Sequence, residues 1–221
     1  MGALIFDFDG VIADSETIAN AVLAETVTDL GHATTLDQAL ARYCGKRWGD
    51  VIAEIERAIG KPVPDDFSGS LKQATLERFR TDLQEVSGAG AFIRRFADIP
   101  RCIASSSSID RLQLCLSILG FGAEFEGRVF SADMVARGKP HPDIFLLAAE
   151  RLGAKPAECL VIEDSAGGIK AATAAGMTTI GLCAASHIRD GHDAALRDAG
   201  AVHLANSWAE VERLALQFFK A

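Results

Sequence analysis

Short segments of the chain place carboxylate, hydroxyl and ammonium groups directly after apolar runs. In IFDFDGVIADSE, at residues 5–16, Asp7 and Asp9 interrupt such a run. Further polar side chains follow later apolar runs: Ser105, Lys139, Glu163 and Asp164. Clustered carboxylates repel one another unless a hard cation lies among them, and Mg²⁺ prefers oxygen ligands together with phosphate. Because a carboxylate can also attack phosphorus, the set is suited to phosphoryl transfer.

Each of these motifs also has a structural alternative. Asp7 and Asp9 could simply mark a turn and the start of a helix, and the serines at 105–108 could cap a helix. Lys139 could be a surface lysine before a proline-bounded turn. The alternatives lose weight when the motifs are taken together, because each of them falls at the end of a predicted strand or just beyond one.

The spacing of apolar residues predicts the elements that hold these side chains. Continuous apolar runs predict strands covered on both faces: 3–8, 101–105, 128–132, 159–164, 178–183 and 201–206. Helical periodicity separates most of them, as in Ile109, Leu112, Leu116 and Leu119. Alternating strands and helices predict a parallel sheet with helices on both faces, whose strand ends converge on one crevice.

Residues 15–85 lack a convincing strand and contain helical segments around 16–30, 35–42, 48–60 and 66–83. The predicted fold is therefore α/β, with a Rossmann-like parallel-sheet core (1–14 and 86–221) and an inserted α-helical cap (15–85). We expect the cap to act as a lid and to determine substrate specificity.

Composition limits the class of partner. The formal net charge is −8 and no basic stripe is present, so neither nucleic acid nor a membrane surface is expected as a partner. The five cysteines are widely spaced without a CxxC motif, which argues against a zinc site or a disulfide framework. We expect a cytoplasmic protein, since no apolar run reaches about 18 residues. The oligomeric state stays open, a monomer included.

Four motifs together resemble those of the haloacid dehalogenase superfamily. They are DFDGV, IASSSS, GKPHPD and VIEDS, in that order, and the predicted helical insert follows the first of them. The likeness is greatest to the phosphatase and β-phosphoglucomutase branch, and it extends from residue 5 to about 185. It implies a Mg²⁺-dependent enzyme that acts on a small phosphorylated metabolite through an aspartyl-phosphate intermediate.

The resemblance also implies a set of roles for the acidic residues. Asp7 matches the nucleophile and a metal ligand. Asp9 matches the general acid and base, and its backbone carbonyl matches another ligand. Asp164 matches the acidic metal ligand, and Glu163 either a further ligand or a neighbour of the ligands.

The same resemblance implies how the phosphoryl group is held. Ser105 matches the hydroxyl that holds it, and Ser106 would add a backbone N–H. Lys139 matches the cation that bridges nucleophile and phosphate. Gly10 allows the chain to turn after the first strand, so that nearby amides can also contact phosphate.

Hydrolysis is favoured over phosphosugar isomerisation. In β-phosphoglucomutases a histidine lies ten residues after the second aspartate, where this chain has Ala19, and Trp48 stands in place of an arginine. Lys46 and Arg47 are candidates to meet an anionic substrate and Trp48 to stack on a sugar. We expect a sugar-phosphate phosphatase; a mutase is the alternative, and a 2-haloacid dehalogenase or a non-catalytic phosphate-binding module is more remote.

Overall fold

The computed structural model describes residues 2–220, and the α/β part of the chain is built on a parallel sheet of six strands. The strands are β1 (Ala3–Phe6), β2 (Arg101–Ser105), β3 (Val129–Ser131), β4 (Cys159–Glu163), β5 (Thr178–Leu182) and β6 (His203–Ala205). Their order across the sheet is β3-β2-β1-β4-β5-β6, and every neighbouring pair is parallel. The predicted α/β fold with a parallel sheet is confirmed.

β1 lies at the centre of the sheet, at the point where the strand order changes direction. Phe6 is in register with Ile103 of β2 on one side and with Ile162 of β4 on the other. All four residues of β1 are buried, as expected for a strand covered on both faces. Open α/β sheets bind ligands outside the carboxyl ends of the strands at such a point, and Asp7 follows β1 directly.

Ten α-helices occur within residues 2–220. They are α1 (Glu16–Asp29), α2 (Leu36–Tyr43), α3 (Trp48–Ile59), α4 (Phe67–Asp82), α5 (Ala89–Arg95), α6 (Ile109–Leu119), α7 (Asp143–Leu152), α8 (Ala166–Ala174), α9 (His192–Asp198) and α10 (Trp208–Phe218). Apolar residues of α7 and α8, among them Phe145 and Ala171, pack against β1, β2 and β4 in one buried cluster. In this part of the chain, none of the helices combines the length and apolarity that crossing a membrane requires.

The chain divides into two compact units. The first, the α/β unit, comprises Met1–Asp14 and Gln84–Ala221, and the second, the helical unit, comprises Ser15–Leu83. The helical unit has its own apolar core, which includes Tyr43, Ile55 and Phe67. The Asp14 amide donates to the Gln84 carbonyl at 3.0 Å, so the chain leaves and re-enters the α/β unit at adjacent points.

Candidate active site

Three buried carboxylates and one lysine meet at the carboxyl ends of β1 and β4. Oxygens of Asp7, Glu163 and Asp164 lie within 4.8 Å of one another. The Lys139 Nζ donates to Asp7 Oδ1 and to Glu163 Oε1, at 2.7 Å each. The structure therefore brings together four of the residues that the sequence singled out, although they are up to 157 positions apart in the chain.

This cluster carries more negative than positive charge, and the pKa values of Asp7 and Lys139 are both raised. Burial raises the pKa of Asp7 well above its usual value; Glu163 and Asp164 raise it further, and Lys139 opposes them. Burial by itself would lower the pKa of Lys139, but the carboxylates of Asp7 and Glu163 outweigh it and raise that pKa. Both groups thus bind a proton more readily than usual: Asp7 chiefly because burial disfavours its charged form, and Lys139 because two carboxylates accept from it.

Glu163 is held beneath the start of α8. Its Oε2 accepts from the Ser165 amide at 2.7 Å and from the Ser165 hydroxyl at 2.9 Å, and no part of its side chain is exposed. The carboxylate lies where a side chain on Gly168 would project, since a Cβ there would come within 1.6 Å of Oε1. With these bonds and the one to Lys139, Glu163 fixes the lysine beside Asp7.

The loop that carries Lys139 is anchored on both sides of that residue. Arg137 donates to the Asp143 carboxylate at 2.7 and 3.1 Å, which ties the loop to the first turn of α7. The ammonium of Lys139 also lies 5.0 Å from the centre of the Phe145 ring, within the range of a cation–π contact. The side chain of Lys139 is therefore held in one orientation, in addition to being paired with two carboxylates.

Asp9 points to a different set of partners. Its carboxylate accepts from the Ser107 hydroxyl at 2.5 Å and pairs with the Arg111 guanidinium at 2.6 Å. Neither partner was identified from the sequence. Arg111 lies in the first turn of α6, after the serine-rich segment that follows β2. Because it is far from β1 along the chain, no local pattern indicated the contact. The side chain of Asp9 is thus oriented by the segment that follows β2 and by α6.

Ser105 and Gly10 lie at neighbouring strand ends, as predicted. Ser105 is the buried last residue of β2, and its hydroxyl accepts from the Ser107 amide at 3.1 Å. Ser106 is exposed at the start of the following loop. Gly10 has φ of +76°, and a Cβ there would approach Asp164 Oδ2 to 1.8 Å. Only glycine therefore allows the turn after β1 to pass so close to that carboxylate.

Two histidines that the sequence reasoning missed also contact Asp164. His187 Nε2 is 3.2 Å from Asp164 Oδ2, and His192 Nε2 is 2.5 Å from the Asp164 backbone carbonyl. They belong to the segment SHIRDGH that follows β5. The rule that identified the other site residues, that polar groups after a parallel strand converge, applies to this segment as well.

The candidate substrate residues of the helical unit have partners inside that unit. Lys46 forms an ion pair with Glu54 at 2.8 Å. Trp48 stacks on Phe67 with an interplanar angle of 5° and donates from Nε1 to the Ser68 hydroxyl. Arg47 is exposed at the N-terminus of α3. The roles of Lys46, Arg47 and Trp48 in substrate binding stay predictions.

The donor set fits a hard divalent cation. The converging ligand atoms of Asp7, Glu163 and Asp164 are carboxylate oxygens, which Mg²⁺ prefers. Lys139 leaves the negative charge of this cluster only partly balanced. The chemistry of the residues therefore agrees with the magnesium site that the family resemblance implies.

Comparisons with known proteins assign the family. A family profile described as haloacid dehalogenase-like hydrolase matches residues 1–176. YhcW of Bacillus subtilis (strain 168), a candidate phosphatase, is 35% identical over 192 residues, covering 80% of this chain and 81% of that protein. The fructose-1-phosphate phosphatase YqaB of Escherichia coli (strain K12) is 29% identical over 177 residues, covering 80% and 94%.

Solved structures agree with this assignment. A haloacid dehalogenase-like protein from Agrobacterium tumefaciens has a TM-score of 0.89 at 32% identity, over 99% of both chains. A hydrolase of the same family from Deinococcus radiodurans, solved with bound phosphate and sodium, has a TM-score of 0.85 at 32% identity, over 99% of this chain and 96% of that one. A candidate β-phosphoglucomutase from Thermotoga maritima has a TM-score of 0.81 at 27% identity, over 98% and 99%. The chain therefore belongs to the haloacid dehalogenase-like hydrolases, as an enzyme of their phosphatase and β-phosphoglucomutase branch.

Proposed function

We propose that this enzyme is a Mg²⁺-dependent phosphatase that hydrolyses a small phosphorylated metabolite, with sugar phosphates as the first class to test. The observation that carries the proposal is the buried carboxylate of Asp7, bonded to Lys139 at 2.7 Å and close to two further carboxylates. Such a group is positioned to attack phosphorus, and the ammonium of Lys139 beside it opposes the charge of an incoming phosphate.

The reaction has two steps. A carboxylate oxygen of Asp7 bonds to phosphorus while the bond to the substrate alcohol breaks, and Asp9 gives the departing oxygen a proton. Water then attacks the aspartyl phosphate, Asp9 takes the proton of that water, and inorganic phosphate and free Asp7 are restored. The proton transfer of the second step is the reverse of that in the first, which is why one carboxyl group serves both.

The remaining residues hold the phosphoryl group and balance its charge. Lys139 bridges Asp7 and the phosphate, and the hydroxyl of Ser105 with the amides near Gly10 and Ser106 donates to phosphate oxygens. Asp7, Asp164 and the backbone carbonyl of Asp9 would hold Mg²⁺, with Glu163 beside them. When bound, the ion would supply positive charge that polarises the phosphoryl oxygens.

The relatives support a sugar phosphate as substrate. YqaB is a fructose-1-phosphate phosphatase. The Deinococcus structure contains phosphate and sodium, which supports a phosphate site and leaves the sugar open. We assign specificity to the helical unit, where the exposed face of Trp48 is the first candidate to stack on a sugar ring. A phosphate-release screen over sugar phosphates, repeated with Trp48→Ala, tests this assignment: the ranking of substrates should change, whereas turnover of p-nitrophenyl phosphate should change little.

Asp7→Asn is the direct test of the nucleophile. The amide cannot form the acyl phosphate, so phosphate release should fall by at least about 10³-fold, as the loss of a covalent nucleophile does elsewhere. Because burial and neighbouring carboxylates raise the pKa of Asp7, removing its charge should leave the Tm unchanged or higher. The matched control is Asp98→Asn, which alters an exposed carboxylate of the same unit and should keep wild-type turnover.

Three outcomes would count against the proposal. Turnover by Asp7→Asn at the wild-type rate would exclude Asp7 as nucleophile. Full activity in excess chelator would exclude the metal. An assay with a sugar bisphosphate that gave isomerised product and little free phosphate would instead indicate a mutase, the activity in the description of the Thermotoga structure.

A further inference from the structure

Asp164 is contacted by a loop that has no role in the proposed mechanism. The loop between β5 and α9 contains His187, whose Nε2 lies 3.2 Å from Asp164 Oδ2, and both side chains are only 6% exposed. Directly after the loop, at the first residue of α9, His192 Nε2 contacts the Asp164 backbone carbonyl at 2.5 Å. Carboxylate and carbonyl oxygens only accept hydrogen bonds, so Nε2 carries the hydrogen in both rings.

The loop is itself held in place. Asp14 Oδ1 accepts from both the amide and the hydroxyl of Ser186, at 3.0 and 2.8 Å. The Ile188 amide donates to the Ala185 carbonyl at 3.2 Å, which closes a turn around His187. The imidazole thus reaches Asp164 from backbone that is fixed on either side of it.

Gly10 encloses the same carboxylate from another direction. A Cβ on Gly10 would lie 1.8 Å from Asp164 Oδ2 and 2.9 Å from His187 Cε1. The oxygen is therefore packed between the turn after β1 and the imidazole ring. A carboxylate confined in this way cannot rotate freely about its side-chain bonds.

We infer that His187 is a positioning residue that orients the carboxylate of Asp164 for the divalent ion. The inference rests on the proposed metal site and extends it to a residue outside that site. Within residues 2–220, the converging ligand atoms belong to Asp7, Glu163 and Asp164, so His187 acts on a ligand and not as one. Hydrogen bonds from outside the ligand set typically contribute about 10- to 100-fold to metal affinity.

The test is direct Mg²⁺ binding to the full chain by calorimetry, with a Tm measured at increasing Mg²⁺. His187→Phe keeps a ring of similar size without a donor, and His187→Gln keeps an N–H that can reach Asp164. We expect Phe to weaken Mg²⁺ binding about 10- to 100-fold and Gln to restore most of it. His203→Ala, which alters an exposed histidine on β6, is the matched control and should bind as wild type does.

The outcomes separate this inference from the proposed function. If the wild-type chain binds no Mg²⁺, the metal site itself is wrong. If the wild type binds and His187→Phe and His187→Gln lower the Tm equally at every Mg²⁺ concentration, His187 is only structural and the inference is wrong. A third measurement needs no variant: ¹⁵N–¹H correlation spectra of the wild type should give the Nε2–H tautomer for His187, and a Nδ1–H tautomer would overturn the inference.

Discussion

Replacing Gly168 with alanine should release Glu163 from beneath α8. The added Cβ would lie 1.6 Å from Glu163 Oε1, and real Cβ atoms essentially never come within 3.0 Å of another atom, so the oxygen must move by about 1.4 Å or more. Such a movement breaks hydrogen bonds of 2.7 Å to Lys139 and of 2.7 and 2.9 Å to Ser165. The side chain has no exposed surface from which water could replace them.

The expected magnitude follows from these lost bonds. Breaking a buried ion pair costs about 3–5 kcal/mol, and the helix propensity of alanine returns up to about 1 kcal/mol. The free energy of unfolding should therefore fall by roughly 2–4 kcal/mol. For a chain of 221 residues this corresponds to a Tm lower by about 5–15 °C. Lys139 loses its second partner as well, so phosphate release should also fall.

The neighbouring Gly167→Ala is a closely matched control. Gly167 is in the same helix, and a Cβ there meets nothing within 4 Å. Its Tm should rise by about 1–4 °C through helix propensity alone, with turnover unchanged. Differential scanning calorimetry of both variants measures the contrast. Equal Tm values for Gly168→Ala and Gly167→Ala would refute the claim that Glu163 occupies the space next to Gly168.

Two further predictions concern a glycine and a thiol. Gly10→Ala combines left-handed backbone with a 1.8 Å clash against Asp164, whereas Gly120→Ala has almost the same φ, +74°, and its Cβ meets nothing within 4 Å. The free energy of unfolding of both variants should fall by about 1–2 kcal/mol through backbone strain. Only Gly10→Ala should also lose phosphate release, by about 10²-fold. Burial raises the pKa of the Cys102 thiol, so the folded state keeps a proton that the unfolded thiol loses above about pH 8.5. The stability from this thiol is complete below that pH and falls by about 1.4 kcal/mol per pH unit above it. Other buried thiols have raised pKa values as well, so in urea titrations at pH 8–10 Cys102→Ala should make the fall in stability shallower by about that amount, and an unchanged slope would contradict the assignment.

Local pattern was sufficient for most of the fold. The helices of the inserted segment, predicted around 16–30, 35–42, 48–60 and 66–83, occur at Glu16–Asp29, Leu36–Tyr43, Trp48–Ile59 and Phe67–Asp82. Continuous apolar runs located the strands, because a strand buried on both faces has no polar alternation. These features depend on neighbours in sequence, so the sequence reveals them directly.

The candidate site was predictable where chemistry coincides with a strand end. Asp7 follows β1 and Glu163 ends β4, and parallel strands bring such ends to one edge. The partners of Asp9 were not predictable in this way. Arg111 lies on a helix face 102 positions away, and nothing in the local pattern distinguishes it from a solvated arginine.

The element order, the buried strands and the acidic residues available for phosphoryl transfer can all be read from the sequence, since each is encoded in residue type and short-range spacing. The partners of those acids become visible only in the folded chain: Asp7 and Glu163 share Lys139, Asp9 pairs with Arg111, and Asp164 contacts His187. A carboxylate pairs with the cation or donor that the packed backbone brings within about 3 Å, and this pairing involves contacts from distant parts of the chain.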